Sequence, residues 1–163
     1  MIQRFTYLAI SFLLFNCQGQ DTPTLFSEAA LNDTFINLEG NEIKFQDVIS
    51  SYKGQTILVD VWASWCRDCI KGLPQLKELQ MEYNDVVFLF LSLDKDIPRW
   101  KKGIKKHQIQ GEHFYMKSGW NGAFGEFLNL DWIPRYLIVD PEGKIKLYNS
   151  EKISDKNILK ALQ

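Results

Sequence analysis

Two cysteines three residues apart, Cys66 and Cys69, are the side chains of this 163-residue chain whose type and spacing most directly offer chemistry. They lie in TILVDVWASWCRDCIKGLPQLKEL, positions 56–79. Ile57, Leu58, Val59 and Val61 form an apolar run that reads as a buried strand, while Ile70, Leu73, Leu76 and Leu79 recur at helical spacing. The pair therefore falls where a strand hands over to a helix. Free N–H groups and the positive dipole end of a helix start stabilise an anion, so Cys66, in the first turn, is expected to have a lowered thiol pKa. A thiolate there is a nucleophile. Cys69, about one turn further on, is near enough to close a short disulfide ring back onto it. The chemistry favoured is thiol–disulfide exchange: Cys66 attacks a partner disulfide, a mixed disulfide forms, and Cys69 resolves it.

Other uses of two cysteines fit less well. A zinc site needs further ligands, but no second Cys pair exists and His107 and His113 belong to an unrelated segment, so no metal is expected. Haem attachment requires His after the second Cys, where Ile70 stands. A purely structural bridge over so short a loop removes little unfolded-chain entropy. No cofactor is implied; the partners expected are protein thiol or disulfide substrates and a dithiol electron donor, with a membrane-embedded protein as one source.

The stretch VDVWASWCRDC, with Pro74 five residues after the second Cys, resembles the thioredoxin superfamily, and the layout beyond it resembles the periplasmic TlpA/ResA-like thiol:disulfide oxidoreductases. The resemblance covers Thr34 to Gln163. It implies a thioredoxin-like α/β fold in three layers, a mixed central sheet flanked by helices, with an N-terminal β-hairpin extension. It also implies a cis Ile133-Pro134 bond beside the disulfide, turning the Ile133 backbone toward the sulfurs and toward an extended substrate strand. Those relatives mostly keep substrate thiols reduced, which makes a reductase the expected direction. Several carry Glu three residues after the second Cys, whereas this chain has Gly72.

Asp60 lies six residues before Cys66 in the middle of the apolar run. Burial there penalises its ionised form, raising its pKa and equipping it to take or return the proton of Cys69; the thioredoxin family has Asp at the matching position. Arg67 and Asp68 oppose one another in their effect on the Cys66 thiolate. Trp62 reads as core, and Trp65 as a shield for the sulfurs and an apolar contact for substrate. A peroxiredoxin-like peroxidase is an alternative on a related fold, but Val59 and Ala63 stand where Pro and Thr/Ser are needed. A non-catalytic binding module is the third reading, which the intact Cys pair argues against.

The elements that must position these residues follow along the chain. Its length suits one domain with a sizeable core, and its formal net charge of −1 gives no general argument for nucleic acid or an anionic membrane. Residues 1–19 read as a secretory signal around TYLAISFLLF. Cys17 resembles a lipobox cysteine, despite Phe15 and Asn16 where small residues are usual, and cleavage after Gly19 is the rival. Either places the chain in the bacterial cell envelope as a periplasmic protein; in the lipobox reading alone it is held at the membrane, by a lipid on Cys17. Residues 20–33 read as a tether and 34–163 as the folded domain. Thr34 to Phe45 shows hairpin alternation around Gly40-Asn41, with Phe35 and Leu38 on one limb and Ile43 and Phe45 on the other. Asp47–Tyr52, Pro98–His107 and Gly122–Leu130 read as helices, the second weakened by Gly103 and lined by solvated lysines. Val86–Leu93, Glu112–Met116, Tyr136–Val139 and Lys144–Tyr148 read as strands, and Ser154 as the cap of a final helix burying Ile158, Leu159 and Leu162.

Overall fold

A computed structural model describes residues 22–163, so the signal segment and Cys17 lie outside the described residues. Within them the central strand β3 (Ile57–Trp62) is buried along its whole length, as an apolar strand covered on both faces must be. It pairs in parallel with β4 (Val87–Ser92), which pairs in parallel with β5 (Glu112–Met116). On its other side β3 runs antiparallel to β6 (Arg135–Val139), and β6 to β7 (Ile145–Ser150). The hairpin β1 (Thr34–Ile36) and β2 (Glu42–Lys44) joins antiparallel beyond β5, giving a seven-stranded order β2-β1-β5-β4-β3-β6-β7. This is the expected mixed sheet with an N-terminal hairpin.

The crossovers β3–α3–β4 and β4–α4–β5 step in the same direction along the sheet, so right-handed connections put α3 (Arg67–Glu82) and α4 (Ile97–His107) on one face. Leu73, Leu76 and Leu79 of α3 are buried, each contributing about 1.5–3 kcal/mol of apolar burial. The helix runs on through Pro74, whose missing N–H leaves the Ile70 carbonyl without its usual donor.

Four expectations change. The tether reading ends at Thr24, whose carbonyl accepts the Ile145 N–H at 2.8 Å. Phe26 then packs 5.0 Å from Phe45, and Ala30 in the short helix α1 (Glu28–Leu31) is fully buried. Two apolar side chains suffice to seat a segment whose composition otherwise reads as linker. Phe45 leaves the hairpin to open α2 (Phe45–Ser50), because its N–H bonds the Asp33 carbonyl and its ring packs 4.5 Å from Phe124 in α5 (Ala123–Phe127). The final helix α6 (Lys156–Leu162) is capped by Asp155, which accepts the Asn157 N–H at 2.9 Å, and not by Ser154; Leu159 faces solvent at 42 % exposure. Asp155 has its carboxyl pKa lowered, first by that backbone bond and then by the Ser150 hydroxyl.

Gly103 is the fourth. It does not weaken α4 so much as let it approach: a Cβ there would lie 2.4 Å from Ser64 Cβ and 3.4 Å from the Trp62 ring. The glycine brings α4 against the loop that leads into the cysteines. Replacing an exposed helical glycine with alanine gains about 1 kcal/mol, whereas overpacking costs about 1–3 kcal/mol. Gly103→Ala is therefore expected to forgo that gain and lose up to about 2 kcal/mol in thermal or denaturant unfolding, and a variant about 1 kcal/mol more stable than the parent would contradict this packing.

Candidate active site

Cys66 is the N-cap of α3, one position before the first helical residue, with the extended backbone usual for a cap. Its sulfur accepts the Cys69 N–H at 3.1 Å, the bond a capping oxygen ordinarily receives. Cys69 stands at the third helical position. The two are joined in a disulfide with Cα atoms 5.3 Å apart. Cys66 retains 5 % exposure and Cys69 only 1 %, so a partner disulfide can reach the first sulfur and not the second.

Two loops frame this bond, and each is held by a buried charged residue. On the near side, Asp94 at the end of β4 accepts the Ser64 hydroxyl at 2.6 Å, the Ser64 N–H at 3.1 Å and the Ser92 hydroxyl at 3.0 Å. This clasp fixes the turn between β3 and α3. On the far side, the Ile133-Pro134 bond is cis, and the Ile133 carbonyl lies 3.5 Å from Cys66 Sγ. Arg135, buried to 2 % exposure, donates to Asp131 Oδ1 at 2.7 Å, to the Trp132 carbonyl at 3.3 Å and to the Asn149 side chain, tying the 131–134 loop to β7. A charge so deeply placed is tolerated because it is multiply bonded.

Between the loops opens a cleft of about 330 Å³ lined by Trp65, Trp120 and Trp132 around Cys66 and Ile133, with Arg67, Asp68 and Asp131 at its edge. Trp65 and Trp132 are more than half exposed, which for indole rings marks a contact surface more than a core. The structure thus brings together Cys66, Cys69, Trp65, Ile133 and Pro134 as expected, and seats Trp62 in the core. Sequence reasoning passed over Ser64, Asp94, Trp132, Arg135 and Tyr136. Asp94 had a signal, an acid closing a long apolar run; Arg135 had a weaker one, a cation between Pro134 and an apolar strand.

Asp60 is 1 % exposed, and its cross-strand partners are Phe90 on β4 and Tyr136 on β6. Burial pushes its carboxyl well above the ordinary carboxylate range. Between the unfolded pKa and this higher folded one the native state binds more protons than the unfolded chain, so stability is lost as pH rises through that window. Asp60→Asn, which keeps the shape and removes the titration, is expected to gain stability over the parent in the oxidised protein at pH 7, by about 1.4 kcal/mol for each unit by which burial raises the Asp60 pKa up to that pH. The gain shrinks to nothing below about pH 4, where the unfolded carboxyl is itself protonated. Chemical denaturation of both proteins at the two pH values checks it; no gain at pH 7 would mean the carboxylate is compensated.

The chain belongs to the thioredoxin-like family, whose model matches residues 54–145. It is 28% identical over 140 residues to a thiol-disulfide oxidoreductase ResA of Bacillus cereus, covering 84% of this chain and 77% of that protein. With ResA of Bacillus thuringiensis subsp. konkukian it is 25% identical over 118 residues, which is 71% of this chain and 64% of the relative's length. Among solved structures it is similar to a thiol:disulfide interchange protein from Bacteroides sp., with 27% identity, a TM-score of 0.64, and 77% and 80% of the two chains covered. The thioredoxin domain of a thiol-disulfide oxidoreductase from Bacteroides vulgatus shares the fold, with 24% identity, a TM-score of 0.67, and 85% and 99% covered.

Proposed function

We propose that this chain is a protein-disulfide oxidoreductase of the bacterial cell envelope, working in the reducing direction. The observation that carries the reading is the disulfide at the start of α3, its outer sulfur facing an aromatic cleft under a cis-proline loop. The names of the ResA relatives point to the same activity. In the reduced protein the Cys66 thiolate attacks one sulfur of a substrate disulfide. The substrate S–S bond breaks, its other sulfur leaves as a thiolate that takes up a proton, and Cys66 is left in a mixed disulfide.

The second step regenerates the bond seen in the structure. Cys69 gives its proton to the Asp60 carboxylate and attacks Cys66 Sγ. The Cys66–Cys69 bond forms, the second substrate thiolate leaves, and two electrons have passed from the protein to the substrate. A dithiol protein, membrane-embedded in this reading, then reduces the pair again. The substrate lies extended along the Ile133 backbone, with an apolar side chain against Trp65. Support for an exported location comes from the apolar run at 6–15, with Cys17 as the residue a lipid would modify.

Trapping tests the reading. Cys69→Ser in the full chain halts exchange after the first step, so substrate proteins are expected to accumulate on Cys66 as mixed disulfides that a thiol reductant releases, while Cys66→Ser accumulates none. Equal adduct on the two variants would remove Cys66 as the attacking sulfur.

A further inference from the structure

On β3 and β6 two fully buried polar groups stand side by side with no protein partner among the described residues. Asp60 Oδ1 and the Tyr136 hydroxyl both lack a hydrogen bond among the described residues, although Tyr136 is 0 % exposed and Asp60 1 %. They are directly paired across β3 and β6, which puts both side chains on the same face of the sheet with Cβ atoms about 5 Å apart. That face is the one under α3. The Tyr136 hydroxyl reaches α3 at Gly72, where an added Cβ would stand only 3.1 Å from it. Gly72 is three residues after Cys69, so the hydroxyl lies one helical turn below the resolving sulfur.

Tyr136 contributes to the wall of an open space, although its hydroxyl is itself covered. Tyr136, Gly72 and Pro134 line a solvent-connected cavity of about 380 Å³, whose charged rim is Asp68 and Lys71 from α3 and Glu151 and Lys152 after β7. Asp68 and Lys71 are paired with one another at 3.0 Å, and β4 presents Phe90 and no charge to Asp60. Tyr136 is therefore both a residue of the cavity wall and the cross-strand neighbour of the buried carboxyl. Burial first, and the Asp60 charge second, hold its hydroxyl protonated far above neutral pH, so it serves as a donor.

We propose that Tyr136 is the positioning residue for Asp60: lodged in the space Gly72 leaves open, it donates to the Asp60 carboxylate through water admitted from the cavity and connects that carboxyl to solvent. Buried polar groups of this kind ordinarily share an ordered water, and a donor to the ionised form favours it. When Cys69 has given its proton to Asp60, Asp60 passes it to the shared water, that water gives a proton to the Tyr136 oxygen, and the Tyr136 hydroxyl proton goes to a water of the cavity. The carboxylate is restored with no net change at Tyr136. This rests on Asp60 being the proton acceptor for Cys69.

Two-phase kinetics separate the possibilities. The reduced full-length chain is mixed with an aromatic disulfide, dithiobis-nitrobenzoate, whose first coloured thiolate reports attack by Cys66 and whose second reports resolution by Cys69. Tyr136→Phe, which keeps the ring and removes the donor, is expected to leave the first phase unchanged. It should move the pH midpoint of the second phase up by about one unit, making that phase about tenfold slower below the midpoint. Gly72→Ala, crowding the hydroxyl from the helix side, should shift it in the same direction by less. Tyr136→Phe added to Asp60→Asn should slow the second phase no further. If Asp60→Asn itself keeps the parent pH profile, the acid–base reading fails and this inference with it. If Asp60→Asn abolishes the pH dependence but Tyr136→Phe retains the parent midpoint, this inference alone is overturned.

Discussion

The bond from the Cys69 N–H to the Cys66 sulfur is the interaction on which the rest of the site depends. An oxygen in that place would simply cap a helix. A sulfur in that place is held at the positive end of α3, with a backbone donor already aimed at it and its redox partner two positions past the first helical residue. Everything else holds this junction steady. The Asp94 clasp anchors the turn before it, Gly103 lets α4 close against the same turn, and Arg135 secures the opposing loop that carries Ile133 and Pro134.

These supports share a physical logic. Thiol exchange needs three sulfurs in a line, so the two protein sulfurs and the surface that receives substrate must keep their spacing while the covalent bond between them comes and goes. Rigid β3 and α3 fix the cysteines, and two loops pinned by buried charges fix the cleft walls. Among the described residues Asp60 is a carboxyl with an orphaned oxygen in the core, on the strand that leads to the cysteines, and its burial destabilises the fold at neutral pH.

Much of this was legible in the chain because strong local patterns and tertiary needs coincide there. The run before Cys66 is apolar at nearly every position since β3 is covered on both faces, and the helix after it shows its buried stripe at Leu73, Leu76 and Leu79. Legibility failed where a residue's part is set by distant neighbours. Phe26 and Phe45 look like tether and strand until Phe124, far along the chain, gathers them. Leu159 fits the helical spacing but turns outward, because α6 is short and only its Ile158 side is fully buried against the domain. Arg135 shows in the chain only as a cation between Pro134 and an apolar strand; what buries it is the convergence of Asp131, Trp132 and Asn149 around it, which that weak signal does not specify. Gly72 and Tyr136 are likewise meaningful only as a pair across helix and sheet.

The most direct measurement is the ultraviolet titration of the Cys66 thiolate in reduced Cys69→Ser protein, where a single domain thiol ionises. A sulfur capping α3 is expected to be half ionised well below the value of about 8.5 typical of free cysteine. Ionisation at or above that value would contradict the claim that the start of α3 makes this sulfur a nucleophile.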